Sequence, residues 1–135
     1  MGAWGAGSFE NDDALDFLVE LTGGDNLDSL AGWFQAVLDN DDFIEADEAR
    51  IAIAAAEVVA WLRGAPGIGL PEGLVDWLQD HPGPVEEALA QQALRAVEKL
   101  FRDSELRLLW EETTYFADWQ AAVQDLVARL KGEPA

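Results

Sequence analysis

The sequence predicts an all-α fold: one compact domain of about six helices around an alanine-rich central helix, with an ordered N-terminal arm. Three observations predict it. Apolar residues recur at helical spacing along most of the chain, and no alternating stretch longer than four residues reads as a strand. The segment IAIAAAEVVAWL, residues 51–62, is apolar on every side of a helical wheel except at Glu57, the pattern of a helix packed all round. The one long breaker-rich loop, GAPGIGLP at 64–71, separates that helix from the periodic segments that follow.

At 135 residues, half of them hydrophobic, the chain suits one domain able to bury about two thirds of its unfolded surface. That domain is expected to span 1–135, with 1–10 as the arm and 131–135 as a frayed tail.

Asn11 is a good N-cap, and Asp12 and Asp13 behind it complement the helix macrodipole. The first helix should run to Thr22 and stop at Gly23-Gly24, with Ala14, Phe17, Leu18 and Leu21 inward and Asp12, Asp16 and Glu20 along its wet edge. A second helix starts after Asp25 and carries Leu27, Leu30, Ala31, Phe34, Val37 and Leu38 on one stripe. Residues 39–49, DNDDFIEADEA, are the densest acidic stretch. Asp39 and Asp41 match the first two positions of a calcium loop, but Phe43 takes the third and Ile44 stands where glycine is required. A loop leading into an acidic helix start explains the stretch better.

After the central helix, Pro71 opens a short helix bearing Leu74, Trp77 and Leu78, which QDHPGP closes. Pro84 opens the next, with Val85, Ala88, Leu89, Ala96, Val97, Leu100 and Phe101 on one stripe. Ser104 caps the last long helical segment, in which Leu106, Leu109, Trp110, Phe116, Val123, Leu126, Val127 and Leu130 keep helical spacing across a break near Thr113-Thr114.

The net charge of −19 is unevenly placed: no Lys or Arg precedes Arg50, and residues 1–49 hold thirteen of the 27 acidic side chains. Such a field repels nucleic acid and anionic membranes and favours basic partners. No apolar run approaches the roughly 20 residues that span a bilayer, and the N-terminus lacks the features of a signal peptide, so a cytoplasmic protein is expected. Gly2 suits a myristoylation signal, but Ala6 stands where Ser or Thr is wanted.

Enzymatic signatures are sparse. There is no cysteine; His81, the one histidine, lies in a turn sequence; and none of Ser8, Ser29 and Ser104 sits in a nucleophile elbow. Glu57 is the exception, because a carboxylate in a buried, alanine-rich helix must be paired, hydrogen-bonded or neutral. It either ties the central helix to another segment or forms the floor of a pocket; Arg50, two turns earlier, lies on nearly the same side of the wheel. Trp33, Trp61, Trp77, Trp110 and Trp119 fall within helices, with Trp33 and Trp119 the best placed to line a surface groove. Trp4 precedes any helix and is expected to dock between helices, with Gly2, Gly5 and Gly7 there for close backbone passage or positive φ. Asn11, Glu57 and neighbouring acids would tie the arm down.

The opening MGAWGxGxFxNDDAxD (Met1–Asp16), the AAAEVVA centre at 54–60 and SELRxLWEE at 104–112 resemble a bacterial family known as domain-of-unknown-function family 4259. The similarity spans nearly the whole chain. It implies a small stand-alone bacterial protein and supplies no activity, cofactor or catalytic residue.

The expected function is therefore a non-enzymatic module that binds a basic protein, one form being an immunity- or antitoxin-like protein that neutralises a basic toxin. Asp39, Asp41, Asp42, Trp33 and Trp119 are the candidate partner surface, and Trp4, Asn11, Asp12, Asp13 and Glu57 the candidate anchors. No metal or cofactor is expected. The alternative is a small enzyme or ligand-binding protein with a helical pocket around Glu57. A deep pocket reaching Glu57 would favour the alternative; a flat acidic patch with Trp33 or Trp119 exposed would favour the binding module.

Overall fold

A computed structural model describes residues 5–24, 29–80 and 85–132. Among them are seven helices and no strand: α1 (Asp12–Gly24), α2 (Ser29–Asp39), α3 (Ala46–Leu62), α4 (Glu72–Asp80), α5 (Glu87–Arg102), α6 (Glu105–Glu111) and α7 (Phe116–Lys131). The all-α expectation holds, with one more helix than about six. The seventh arises because the last helical segment divides. The Thr113 hydroxyl donates to the Trp110 carbonyl (2.8 Å) and accepts from the Tyr115 amide (3.1 Å), so one side chain closes α6 and aims the chain into α7.

α3 is the hub, touching α1, α2, α5, α6 and α7. Every residue from Ala52 to Ala60 is buried. The alanines carry no side chain beyond Cβ, which lets neighbouring helices approach from several directions at once. The rest of the core comes from one face each of the other helices: Phe17 and Leu21 on α1, Leu30, Phe34 and Val37 on α2, Leu74 and Leu78 on α4, and Leu126 and Leu130 on α7.

Two caps predicted from sequence are present. Asn11 Oδ1 accepts from the Ala14 amide at 2.8 Å, and Ser104 Oγ accepts from the Arg107 amide at 3.1 Å. α5 differs from expectation. It begins at Glu87, and its buried stripe is Ala90, Ala93, Leu94, Ala96, Val97 and Leu100, while Ala88 is exposed. At the other end, α7 runs through Lys131 and ends on Gly132, whose φ of 79° makes a left-handed cap with its amide on the carbonyls of Ala128 and Arg129; the rest of the expected tail, 133–135, lies outside the described residues. Residues 25–28, into which the second helix was expected to extend, lie outside the described residues, as do Trp4, His81 and Pro84. Among the described residues no helix is long and apolar enough to cross a membrane.

Candidate functional site: a cleft over a buried ion pair

Glu57 is 4 % exposed, and α3 aims it at α7. There Arg129 meets it with both guanidinium arms, Nη1 to Oε1 at 2.7 Å and Nη2 to Oε2 at 3.2 Å. The Ser8 hydroxyl donates to Oε2 at 2.7 Å, so the arm joins the same centre. Arg129 is engaged further, by Nε to Asp125 Oδ2 at 2.8 Å and Nη1 to the Ala65 carbonyl at 3.3 Å. Four segments thus converge on one ion pair: arm, α3, the loop after it and α7. Burial alone would lower the pKa of Arg129, but the hydrogen bond and charge of Glu57, with those of Asp125, raise it above its ordinary value. The guanidinium stays charged, and its charge is met.

Gly67 covers the pair. A Cβ on that residue would lie 2.8 Å from Glu57 Oε1 and 3.0 Å from each terminal nitrogen of Arg129. The glycine serves close approach rather than positive φ, which among the described glycines belongs to Gly64, Gly69 and Gly132. The same holds for the arm. Gly5 and Gly7 do not have positive φ; the Glu10 carboxylate folds back over both and accepts from the Gly7 amide at 3.0 Å. Phe9 is buried in the core.

Above the pair opens a cleft of about 650 Å³, walled by Ser8, Glu10, Ile68, Ala121, Ala122 and Asp125. Of the other predicted anchors, Trp4 lies outside the described residues. Asn11 is buried and caps α1, donating also to the Ser8 carbonyl at 3.5 Å. Asp13 takes Arg50 at 2.9 Å, so Arg50 serves α1 while Arg129 serves Glu57. Asp12 is exposed.

The predicted partner surface divides. Trp119 is 3 % exposed, packed against Phe101 and Phe116 with ring centroids at 5.6 and 6.0 Å, so it offers no exposed face to a partner. Trp33 is half-buried, edge-on to Phe17. Asp39, Asp41 and Asp42 are exposed, together with Glu45, Asp47 and Phe43, the last at 46 %. This loop is held firmly. Lys99 Nζ on α5 donates to the carbonyls of Val37, Leu38 and Asn40 at 2.8, 3.0 and 2.6 Å, closing the C-terminus of α2. The Ile44 carbonyl accepts from the Glu105 amide at 2.9 Å, and the Glu105 carboxylate accepts from the Ala46 amide at 2.7 Å.

Arg129, Gly67, Lys99 and Glu105 were not singled out from the sequence. Arg129 alone left a signal there: it falls on the apolar stripe of α7, between Leu126 and Leu130, where an unpaired arginine would be costly.

The fold and site define an acidic, all-helical protein whose N-terminal arm and last helix are clasped to a central helix by one buried ion pair. The chain belongs to the family described as "Domain of unknown function (DUF4259)", whose profile matches residues 2–122. That span contains Ser8, Glu57 and Gly67 and stops before Asp125 and Arg129. No curated protein and no solved structure gives a significant match.

Proposed function

We propose that this chain is a non-enzymatic binding module of the bacterial cytoplasm that presents the loop at 39–47 to a basic protein, as an immunity- or antitoxin-like protein would to a basic toxin. One observation carries the reading: the loop shows exposed acids around the part-exposed Phe43, and three carbonyl bonds from Lys99 hold its base in place. A surface ordered before contact loses less entropy on binding, and its charge speeds encounter with an oppositely charged partner.

The test is capture from the native lysate by the intact protein and by the Asp41→Asn, Asp42→Asn, Phe43→Ala triple variant. A specific partner should be basic, should be missing from the variant, and should be released as the Debye length shortens below about 8 Å. Equal capture by both proteins, or capture indifferent to salt, overturns the reading.

The cleft over Glu57 favours a second reading, a ligand-binding protein. Both oxygens of Glu57 are already bonded. It therefore serves as part of the cleft floor and is poorly placed to act as a general base.

A further inference from the structure

We propose that the cleft over the Glu57–Arg129 pair binds a small organic amine, an ammonium group carried on an apolar stem. The proposal rests on the ligand-binding reading of this cleft and is independent of the acidic loop.

Among the described residues, the polar side chains that face the cleft are acceptors, Arg129 apart. The Ser8 hydroxyl spends its proton on Glu57, leaving its lone pairs. Glu10 receives the Gly7 amide on Oε1, and Asp125 receives Arg129 on Oδ2; among the described residues neither carboxylate has a hydrogen bond on its second oxygen. Arg129, the one cation of the lining among the described residues, is turned to Glu57, Asp125 and the Ala65 carbonyl. Among the described residues three carboxylates, Glu10, Glu57 and Asp125, stand against that single cation, a net side-chain charge of −2. A carboxylate or phosphate ligand would meet like charge. An ammonium, with three donors and no acceptor, fits what is left.

The space requires more than a bare ion. At about 650 Å³ the cleft lies in the range of small-molecule sites. Among the described residues no group of three or more His, Cys, Asp or Glu side chains is placed to hold a metal. Consecutive small residues, Ala121 and Ala122, keep the α7 wall low. At the rim stands Ile68, 99 % exposed and flanked by Gly67 and the positive-φ Gly69. Without a ligand its side chain has nothing to pack on; an apolar stem lying in the cleft gives it a partner.

The test is a set of NMR titrations of the intact, amide-labelled chain at neutral pH with hexylamine, hexanol, hexanoate and the amide of Nα-acetyl-lysine. Hexylamine should shift the amides of residues 7–10, 68–69 and 121–125 saturably, and bind about tenfold or more tighter than hexanol or hexanoate. Glu10→Gln should weaken hexylamine about three- to tenfold with the urea midpoint unchanged, since Glu10 is exposed. Ala121→Leu, at an exposed helical position, should abolish binding by filling the cleft without unfolding the chain. Hexanol or hexanoate binding as tightly as hexylamine overturns the amine assignment while leaving a ligand site. Shifts confined to residues 39–48, or affinity unchanged in both variants, overturn the placement. The lysine amide matching hexylamine assigns the cleft to a partner's lysine and overturns the free amine. No saturable shift with any probe overturns the proposal and the ligand-binding reading together.

Discussion

Arg129 grips Glu57 with both arms of its guanidinium across 72 positions of chain, and that pair is where the arm, the central helix and the last helix meet. A buried pair of this kind does not by itself imply a large gain in stability, because both ions had to leave water. Its effect shows when one partner is removed.

Glu57→Ala leaves the buried Arg129 charge with Asp125 alone and should lower the unfolding free energy by about 3–5 kcal/mol. Glu57→Gln, which keeps an acceptor for one arm, should cost about half as much or less. Replacing both residues by methionine should restore stability to well above that of Glu57→Ala, since no stranded charge remains. Urea denaturation of the set measures this; a double variant as unstable as Glu57→Ala would show that the network around the pair, and not its charge balance, carries the stability.

Gly67→Ala places a methyl group against both members of the pair and should destabilise by about 1–3 kcal/mol. Gly32, in α2, has nothing within 4 Å of where its Cβ would be, so Gly32→Ala should instead stabilise by about 1 kcal/mol. Opposite shifts in melting temperature are the expected outcome. A neutral Gly67→Ala would mean that the loop moves aside at no cost.

Lys99→Met removes three hydrogen bonds from a charged donor and should cost about 2 kcal/mol. Amide exchange in residues 40–46 should rise more than in α3, because the lysine holds the base of that loop. Uniform acceleration along the chain would place its effect on global stability alone.

Glu87 provides a check on local electrostatics. The Gln91 side chain, bonded to its carboxylate at 3.0 Å, and then the charge of Arg63 hold its pKa below the ordinary value of 4.5. Its small stabilising contribution is therefore present above that value and lost as pH falls through the lowered folded-state pKa. An NMR titration should show Glu87 below the ordinary value of 4.5, and Gln91→Ala should bring it back toward that value.

Asn11, Ser104 and the all-round burial of α3 were legible in the sequence for one reason: each is a matter of residues three or four apart. A cap bonds to an amide three positions on, and a helix with apolar residues on every side must be buried whatever surrounds it. The same local logic showed that Glu57 needed a partner. Which partner was beyond it. Arg50 shares a helix and a side with Glu57 yet turns to Asp13, because α1 packs there, whereas α7 brings Arg129 in from the far end of the chain.

Trp119 and Lys99 make the same point. Helical spacing placed Trp119 near an edge of α7, but only the packing of α5 against α7 decided that Phe101 would cover it. Lys99 reads as an ordinary base at a helix end until α2 is seen to finish beside it. The sequence by itself determined which faces had to be buried and which buried group needed a counter-charge. The tertiary structure decided who met whom, because the rotation and approach of one helix against another depend on the fit of whole surfaces, and no periodicity within a single helix encodes its neighbour.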